Sequence, residues 1–274
     1  MEIELNGKII RTEEKSLKKF VQKVGDGAQV VIYNGFQVDM RQEREIKDGD
    51  IITLIKKGVM PDKDELEAMI CARFTPGLYR KFKNAKVAVA GLGGLGSNIA
   101  AMLARSAVGK LLLVDFDTVE PSNLNRQNYY IKHLGMKKCD AMKEIIKEID
   151  PFIEVECKCV RLGYENCAEV LKGYKYICEA FDGAESKAMI TEVVCGNMSG
   201  NFDGSVLVAA SGMAGIEDAN EIKTVKRMKN LYVCGDMVNG AQVGRGLMAP
   251  RVAICAGHQA NMILRLIAEE KEDE

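Results

Sequence analysis

The residues best suited to chemistry begin with a glycine-rich stretch, GLGGLG at residues 91–96. It follows a short apolar run, Val87–Ala90, and precedes an alanine-rich stretch that is typical of a helix. Glycines let a backbone approach a phosphate closely, and the N-terminus of a helix offers free N–H groups to it. Asp115 stands at the end of the next apolar run, about 20 residues beyond the loop, where a carboxylate can accept hydrogen bonds from ribose hydroxyls. The pattern predicts a nucleotide site; close packing of helix on strand is the alternative role for the glycines.

A second stretch, DFDTVEPSNLNRQ at residues 115–127, is dense in hydrogen-bonding groups. It follows a strand end, where open α/β sheets bind ligands. Arg126 and Lys138 suit the charge that develops on phosphate oxygens when a phosphoanhydride breaks, and Asp182, at the end of another apolar run, suits Mg²⁺. For each residue taken singly, the alternative is a solvated surface charge.

Strands and helices alternate from residue 85 onward. The expected strands are short apolar runs, and the expected helices start near Ser97, Lys137, Glu185 and Ile254. The expected strands are Val87–Ala90, Leu111–Asp115, Ile153–Cys157, Tyr176–Asp182, Val206–Ala210 and Leu231–Cys234. This alternation predicts an α/β class: a Rossmann-like, mostly parallel sheet flanked by helices.

Residues 1–58 form a smaller pattern of their own. Apolar pairs at Ile3 and Leu5 and at Ile9 and Ile10 are followed by a helical spacing from Leu17 to Val24 and by two more strands. The order strand, strand, helix, strand, strand is that of a β-grasp (ubiquitin-like) domain. We therefore expect four parts: a β-grasp domain at 1–58, a partly helical connector at 59–84, a nucleotide-binding domain at 85–268 and an acidic tail at 269–274.

Composition excludes several classes of protein. A net charge of −1 argues against a protein that coats nucleic acid or an anionic membrane. No apolar run reaches the roughly 18–20 residues that span a bilayer, and the start lacks the pattern of a secretory signal. Nine cysteines without a CxxC pair indicate free thiols in a reducing cytoplasm. The two histidines, His133 and His258, are expected to be structural.

These motifs together resemble the ubiquitin-activating-enzyme-like adenylyltransferases of the ThiF/MoeB type. The resemblance covers about residues 70–268 and rests on GLGGLGS, LLLVDFDTVEPSNLNRQ, GMKK and the strand before Asp182. The stretch 244–251 (GRGLMAPR) resembles a short ThiF-like branch associated with thiamine biosynthesis, and residues 1–58 resemble the sulfur carrier ThiS.

The resemblance implies an enzyme that uses ATP and Mg²⁺ to adenylate the C-terminal glycine carboxylate of a ThiS-like sulfur carrier, as a cytoplasmic homodimer. Arg126 and Lys138 would carry the catalysis, and Asp182 would hold Mg²⁺ and share in it. Lys138 is selected by its distance from Gly135, although Lys137 is adjacent. Arg73 would reach a partner's site. The implied nucleotide-binding residues are Gly91, Gly93, Gly94, Gly96, Asp115, Asp117, Asn123, Asn125 and Gln127.

The sequence also departs from that family. The paired CxxC motifs of many relatives are absent, so we expect no zinc. Gly183 follows Asp182 where Asn is usual, and Lys187 replaces a common Arg. Cys234 is the least implausible thiol for a carrier adduct. Because Gly58 runs on into Val59, the β-grasp domain lacks a free carboxylate there and is expected to be structural or regulatory rather than a working carrier.

Three alternatives remain open. A flavin or NAD oxidoreductase shares GxGxxG and Asp115, and residues 230–236 resemble a segment of FAD disulfide reductases, but no second glycine motif and no CxxC follow. An ATP-dependent tRNA-modifying dehydratase of the same superfamily would keep the fold, although the charge balance makes nucleic acid an unfavoured partner. The third alternative is a non-catalytic interaction protein that has lost its enzymatic activity. The presence of Arg126, Lys138 and Asp182 argues against it.

Overall fold

The computed structural model describes residues 1–25, 27–75, 77–196 and 200–270. The chain divides into two compact units, Met1–Arg80 and Lys81–Glu274.

The first unit contains a five-stranded sheet with one helix over it. Its elements are β1 (Glu2–Leu5), β2 (Lys8–Arg11), α1 (Leu17–Val24), β3 (Val30–Tyr33), β4 (Phe36–Gln37) and β5 (Ile51–Ile55). The strand order is β2-β1-β5-β3-β4, with β1 and β5 parallel and the other pairs antiparallel. Leu17 and Phe20 of α1 are buried against Ile3 and Ile52. This confirms the β-grasp prediction, to which the structure adds the two-residue strand β4.

Two short helices follow the β-grasp sheet. Asp62 begins α2 (Lys63–Cys71) because its side chain accepts a hydrogen bond from the N–H of Glu65 at 2.9 Å. A Cβ on Gly7 would lie 2.9 Å from Cβ of Ala68, so α2 packs on the turn between β1 and β2. The division between the two units falls within α3 (Leu78–Asn84).

The second unit is built on a seven-stranded sheet with the order β11-β12-β10-β9-β6-β7-β8. All neighbouring strands run parallel except the edge strand β11. Its strands are β6 (Lys86–Ala90), β7 (Lys110–Val114), β8 (Glu154–Lys158), β9 (Tyr176–Glu179), β10 (Val206–Ala210), β11 (Lys223–Met228) and β12 (Leu231–Gly235). Its helices are α4 (Gly94–Arg105), α5 (Lys138–Ile149), α6 (Cys167–Leu171), α7 (Ala184–Cys195) and α8 (Ala249–Glu269). The Rossmann-like prediction is confirmed.

The structure differs from the sequence prediction in several elements. The strand expected to run to Asp182 ends at Glu179. The last helix begins at Ala249 rather than near Ile254, because Pro250 is well suited to a first helical turn. The edge strand β11 was not predicted, since its sequence KTVKRM shows little apolar alternation.

No helix in the described part of the chain combines the length and the apolar character needed to cross a membrane. Of the predicted acidic tail, residues 271–274 lie outside the described residues, as does Pro76 of the predicted connector.

Candidate nucleotide site

The glycine loop joins β6 to α4, and two of its glycines are required by packing alone. Gly91 has φ +92°, and a Cβ there would lie 2.8 Å from the carbonyl oxygen of Ala180. A Cβ on Gly96 would lie 1.8 Å from the carbonyl oxygen of Gly91. The steric role that the sequence left open therefore applies to Gly91 and Gly96.

The other two glycines face the SNLNRQ segment instead. For a Cβ on Gly93 the nearest described atom is Nε2 of Gln127, 3.9 Å away, and one on Gly94 would lie 3.6 Å from Cγ of Arg126 and 3.0 Å from Cγ1 of Val252. Gly93 is the N-cap of α4 and provides no side-chain cap. The N–H groups of the first helical turn, which have no intrahelical acceptor, thus face a segment rich in polar groups.

Asp115 ties the second strand to the glycine loop. Its Oδ2 accepts a hydrogen bond from the N–H of Leu92 at 2.6 Å, and its Oδ1 accepts one from the N–H of Asp117 at 2.8 Å. The half-buried carboxylate is therefore fixed at the carboxyl edge of the sheet, beside the loop. Each oxygen keeps a lone pair for a further donor.

Asn123 shapes the turn that presents Arg126 and Gln127. Asn123 is buried, its Oδ1 accepts from the N–H of Glu120 at 3.0 Å, and its carbonyl accepts from the N–H groups of Arg126 (3.2 Å) and Gln127 (2.9 Å). The exposed Asn125 accepts from Nη1 of Arg126 at 2.9 Å. Asn123 and Asn125 thus hold the arginine in place.

Three side chains that the sequence analysis missed clamp this segment onto α4. The Ser97 hydroxyl accepts from the N–H of Asn128 (3.0 Å), and Nδ2 of Asn98 donates to the carbonyl of Arg126 (3.2 Å). The buried Tyr129 donates its hydroxyl to the carbonyl of Leu92 at 2.9 Å. Ser97 and Asn98 directly follow the glycine motif, which was a usable signal.

Two buried polar atoms at this point have no hydrogen-bond partner among the described residues: Nε of Arg126 and Oε1 of Gln127. Nη1 of Arg126 donates to the carbonyl of Ser122 at 3.1 Å, which orients the guanidinium but leaves Nε free. An unpaired buried donor costs about 1–3 kcal/mol, and a bound phosphate oxygen would remove that cost. The site therefore fits an anionic ligand.

The two adjacent lysines differ in their surroundings. Lys138 is only 6% exposed, and its Nζ lies 2.9 Å from Oδ2 of Asp117. Lys137 is exposed and donates to the carbonyl of Phe116 at 3.2 Å. Lys138, selected by sequence, is thus the lysine that contacts a predicted nucleotide-binding residue.

Asp182 is exposed and lies in a bend just before α7. The nearby Ala180 packs against Gly91, so Asp182 belongs to the same edge of the sheet as the glycine loop. Mg²⁺ is commonly held by one or two carboxylates together with substrate phosphates. A single exposed carboxylate here fits that mode.

The carboxylate that does end β9 is Glu179, which the sequence analysis missed. It is completely buried and accepts from Nζ of Lys187 at 2.9 and 3.0 Å and from the N–H of Phe181 at 2.6 Å. Burial raises the pKa of Glu179, while the Lys187 ammonium opposes that rise. The pair fixes the turn that leads to Asp182.

Arg251, at the start of α8, forms a second buried ion pair with Asp236. Its Nη1 also donates to the carbonyls of Glu217 (2.7 Å) and Asp218 (2.8 Å). Burial raises the pKa of Asp236, but hydrogen bonds from Asn239 and the charge of Arg251 hold it below its usual range. This ion pair anchors the loop that follows β12 to α8. The next residue of α8, Val252, contacts Gly94.

The structure argues against the Cys234 hypothesis. Cys234 is completely buried, and burial raises the pKa of its thiol to about 11. The histidines have structural contacts: Nδ1 of buried His133 accepts from the N–H of Tyr130 at 3.0 Å, and Nδ1 of His258 lies 3.0 Å from Oγ1 of Thr224.

One further predicted residue and one cavity have contacts of their own. Arg73 is exposed and donates to Oε1 of Gln37 at 2.7 Å, within the first unit. A cavity of about 410 Å³ beside β8 and α6 is lined by Lys110 and Glu156, among others, and by none of the predicted site residues. Lys110 is already paired there with Glu154 at 2.6 Å.

The parallel sheet, glycine loop and polar carboxyl edge define an α/β protein of the Rossmann-like class with a candidate nucleotide site. The ThiF family profile matches residues 66–274, and the profile for ThiS-like ubiquitin matches residues 1–58. The chain belongs to the ThiF family and carries a ThiS-like ubiquitin domain at its N-terminus.

Two curated relatives illustrate this membership. The "adenylyltransferase and sulfurtransferase UBA4" of Saccharomyces cerevisiae (strain RM11-1a) is 33% identical over 195 residues, covering 68% of this chain and 42% of the relative. The "adenylyltransferase and sulfurtransferase MOCS3" of Drosophila grimshawi is 26% identical over 216 residues, covering 76% and 45%. The chain therefore spans less than half the length of these relatives.

Solved structures share the fold. The E. coli tRNA N6-threonylcarbamoyladenosine dehydratase TcdA, solved in complex with ATP, matches with a TM-score of 0.66 and 22% identity over 77% of this chain and 97% of that one. E. coli MccB, solved with AMPCPP and MccA, matches with a TM-score of 0.55 and 21% identity over 71% and 59%. At these identities the likeness establishes the fold alone.

Proposed function

We propose that this chain is a cytoplasmic, ATP-dependent adenylyltransferase. Its substrate is the C-terminal glycine carboxylate of a separate ThiS-like sulfur carrier, and its products are the carrier acyl-adenylate and pyrophosphate. The observation that carries the proposal is the buried Nε of Arg126 beside the first turn of α4, which has no hydrogen-bond partner among the described residues. A guanidinium donor and a helix N-terminus together suit a polyphosphate.

The reaction exchanges one bond at the α-phosphorus for another. A carboxylate oxygen of the carrier forms the new bond, and the bond to the bridging oxygen breaks, with its electron pair leaving on pyrophosphate. Such a step needs positioning and charge neutralisation more than a general base. Arg126 and Lys138 supply cationic groups, Asp115 accepts ribose hydroxyls, and the clamped SNLNRQ segment keeps the arginine in place.

Magnesium, when bound with ATP at Asp182, would offset the phosphate charge. The ion pair of Lys187 with Glu179 keeps the turn before Asp182 in position. Nothing in that pair depends on the metal, since both partners are satisfied by protein groups.

The ThiS-like domain is proposed to be structural or regulatory and not the substrate. After β5 the chain turns at Lys56, where the carbonyl accepts from the N–H of Val59 at 3.3 Å, and Gly58 has φ +74°. Gly58 is bonded to Val59 and thus has no carboxylate to adenylate. An ATP-dependent fragment that ends at Gly58, seen by intact mass, would overturn this assignment.

The finer parts of the proposal rest on resemblance. The ThiS-like domain and the GRGLMAPR stretch at 244–251 support a role in thiamine (thiazole) biosynthesis. Family resemblance supports a homodimer, which sedimentation velocity would test directly.

ATP–pyrophosphate exchange tests the chemistry. We expect exchange that depends on an added carrier ending in Gly-Gly and that falls about 100-fold or more in Arg126→Ala and Lys138→Ala. Lys137→Ala is the matched control, because it removes the adjacent exposed lysine and should retain exchange. ATP binding without carrier-dependent exchange, but with turnover on adding tRNA, would instead favour the same-fold dehydratase.

A further inference from the structure

Three thiols converge at the ends of β7 and β8. Cys139 is buried in the first turn of α5, Cys157 is half-buried in β8, and Cys159 is exposed just beyond that strand. Residues 157 and 159 share one face of the strand because side chains alternate, and the Cys139 sulfur lies 3.7 Å from the carbonyl oxygen of Lys158, the residue between them. The Cys157 thiol also lies 3.4 Å from the carbonyl oxygen of Cys139.

The cluster is connected to the proposed nucleotide site through Cys139. Its sulfur lies 3.3 Å from the carbonyl oxygen of Asp115 and 3.5 Å from that of Leu113. Cys139 also directly follows Lys138, whose Nζ contacts Asp117. A displacement of the Cys139 sulfur would therefore act on Asp115 and on Lys138, which both lie at the proposed nucleotide site.

The two inner thiols have unequal reactivity. The hydrogen bond with Cys139 and the charge of Lys143 lower the pKa of Cys157, whereas burial and the charges of Asp140 and Glu156 oppose that shift. The same hydrogen bond and burial raise the pKa of Cys139. Half-buried thiols with thiolate character near a cation are the ones that peroxides oxidise.

We propose that Cys157 and Cys139 form a peroxide-sensitive thiol pair whose disulfide switches off nucleotide binding at the adjacent site. The consequence for adenylation rests on the proposed function, whereas the pairing itself does not.

The chemistry requires only a hydroperoxide as oxidant. The Cys157 thiolate attacks one peroxide oxygen, the O–O bond breaks, and a sulfenic acid and hydroxide form. The Cys139 sulfur then attacks the Cys157 sulfur, and the S–O bond breaks. The hydroxide released from the peroxide combines with the proton that the Cys157 thiol gave up, and the hydroxide that leaves the sulfenic acid takes the Cys139 proton, so two thiols and one hydrogen peroxide give one disulfide and two waters.

Disulfide formation would change the site because the Cys139 sulfur must turn away from Asp115. The carbonyl of Asp115 then loses its thiol donor, and the first turn of α5, which carries Lys138, must adjust. We expect the affinity for MgATP to fall about tenfold or more, and a reducing thiol to restore it.

The test uses the full chain, hydrogen peroxide and dithiothreitol. Peptide mapping after alkylation identifies the disulfide, and titration calorimetry measures MgATP affinity before and after reduction. Cys157→Ser and Cys139→Ser should abolish both the disulfide and the loss of affinity. Cys159→Ser and the distant Cys195→Ser should still show both, with circular dichroism confirming that each variant is folded.

A mapped disulfide that excludes Cys139 or Cys157 would overturn the pairing, as would protection by Cys159→Ser alone. A Cys139–Cys157 disulfide that leaves MgATP affinity unchanged would overturn the switch. Reduced wild-type protein without MgATP affinity would refute the proposed function and the switch together, while the mapped disulfide would still decide the pairing.

Discussion

The glycine loop allows stability and nucleotide binding to be separated by two single-methyl substitutions. In Gly96→Ala the added Cβ would lie 1.8 Å from the carbonyl oxygen of Gly91, a backbone atom that no rotamer change can move. In Gly93→Ala the nearest described atom beyond the adjoining backbone, Nε2 of Gln127, is 3.9 Å away, and the residue has φ −75° and ψ −147°. The methyl group of Gly96→Ala strains the backbone of the glycine loop and lowers stability. The methyl group of Gly93→Ala occupies only the space in front of α4.

The magnitudes follow from this geometry. Overpacking of this kind costs about 3 kcal/mol, and the helix propensity of alanine over glycine returns about 1 kcal/mol. Gly96→Ala should therefore lose about 2 kcal/mol of folding free energy, or roughly 4–8 °C in Tm. Gly93→Ala should change stability by less than about 1 kcal/mol but should weaken MgATP binding about tenfold, equivalent to about 1.4 kcal/mol.

Thermal denaturation without nucleotide and calorimetric titration with MgATP measure the two effects separately. Wild-type MgATP affinity in Gly93→Ala would show that the backbone there does not approach the phosphate. A Gly96→Ala variant with unchanged Tm would refute the packing role.

Three further predictions concern buried groups. Lys187→Met leaves the Glu179 carboxylate buried without its cation and should cost about 3–5 kcal/mol in urea unfolding, whereas Lys187→Arg should recover most of it; equal stability of both variants would contradict this. The pKa of Asp236 is lowered in the fold, so its ionised carboxylate stabilises the fold at neutral pH and this contribution is lost as pH falls through the folded pKa. The difference in unfolding free energy between wild type and Asp236→Asn should therefore narrow below about pH 4. A difference that widens there would contradict a lowered pKa. Native protein treated with iodoacetamide at pH 8 should be alkylated at exposed Cys159 and not at Cys234, whose pKa is about 11; comparable labelling rates would contradict the burial of Cys234.

Sequence patterns predicted the elements that local composition determines. The apolar run Val87–Ala90 is a fully buried strand, and the helix after the glycine loop is present. The strand–glycine–helix order and the spacing to Asp115 also placed these residues at one edge of the sheet. Such features depend on neighbours in sequence, so the sequence was sufficient to predict them.

The sequence did not predict features that depend on distant partners. In the sequence, Glu179 is simply a polar residue near the end of an apolar strand. Its carboxylate can be buried because Lys187 and the N–H of Ala210, 31 residues further along, donate hydrogen bonds to it. The role of Arg251 likewise requires Asp236 and carbonyls more than 30 residues away. The polar strand β11 exists because it pairs with β12, which its own composition does not indicate.

The proposed activity of this chain is the formation of an acyl-adenylate on a separate carrier. The most direct measurement is intact mass of a ThiS-like carrier ending in Gly-Gly after incubation with this protein and MgATP. We expect a carrier population heavier by one adenylate, formed by wild type and lost with Arg126→Ala. An unmodified carrier in the presence of protein that binds MgATP would contradict it.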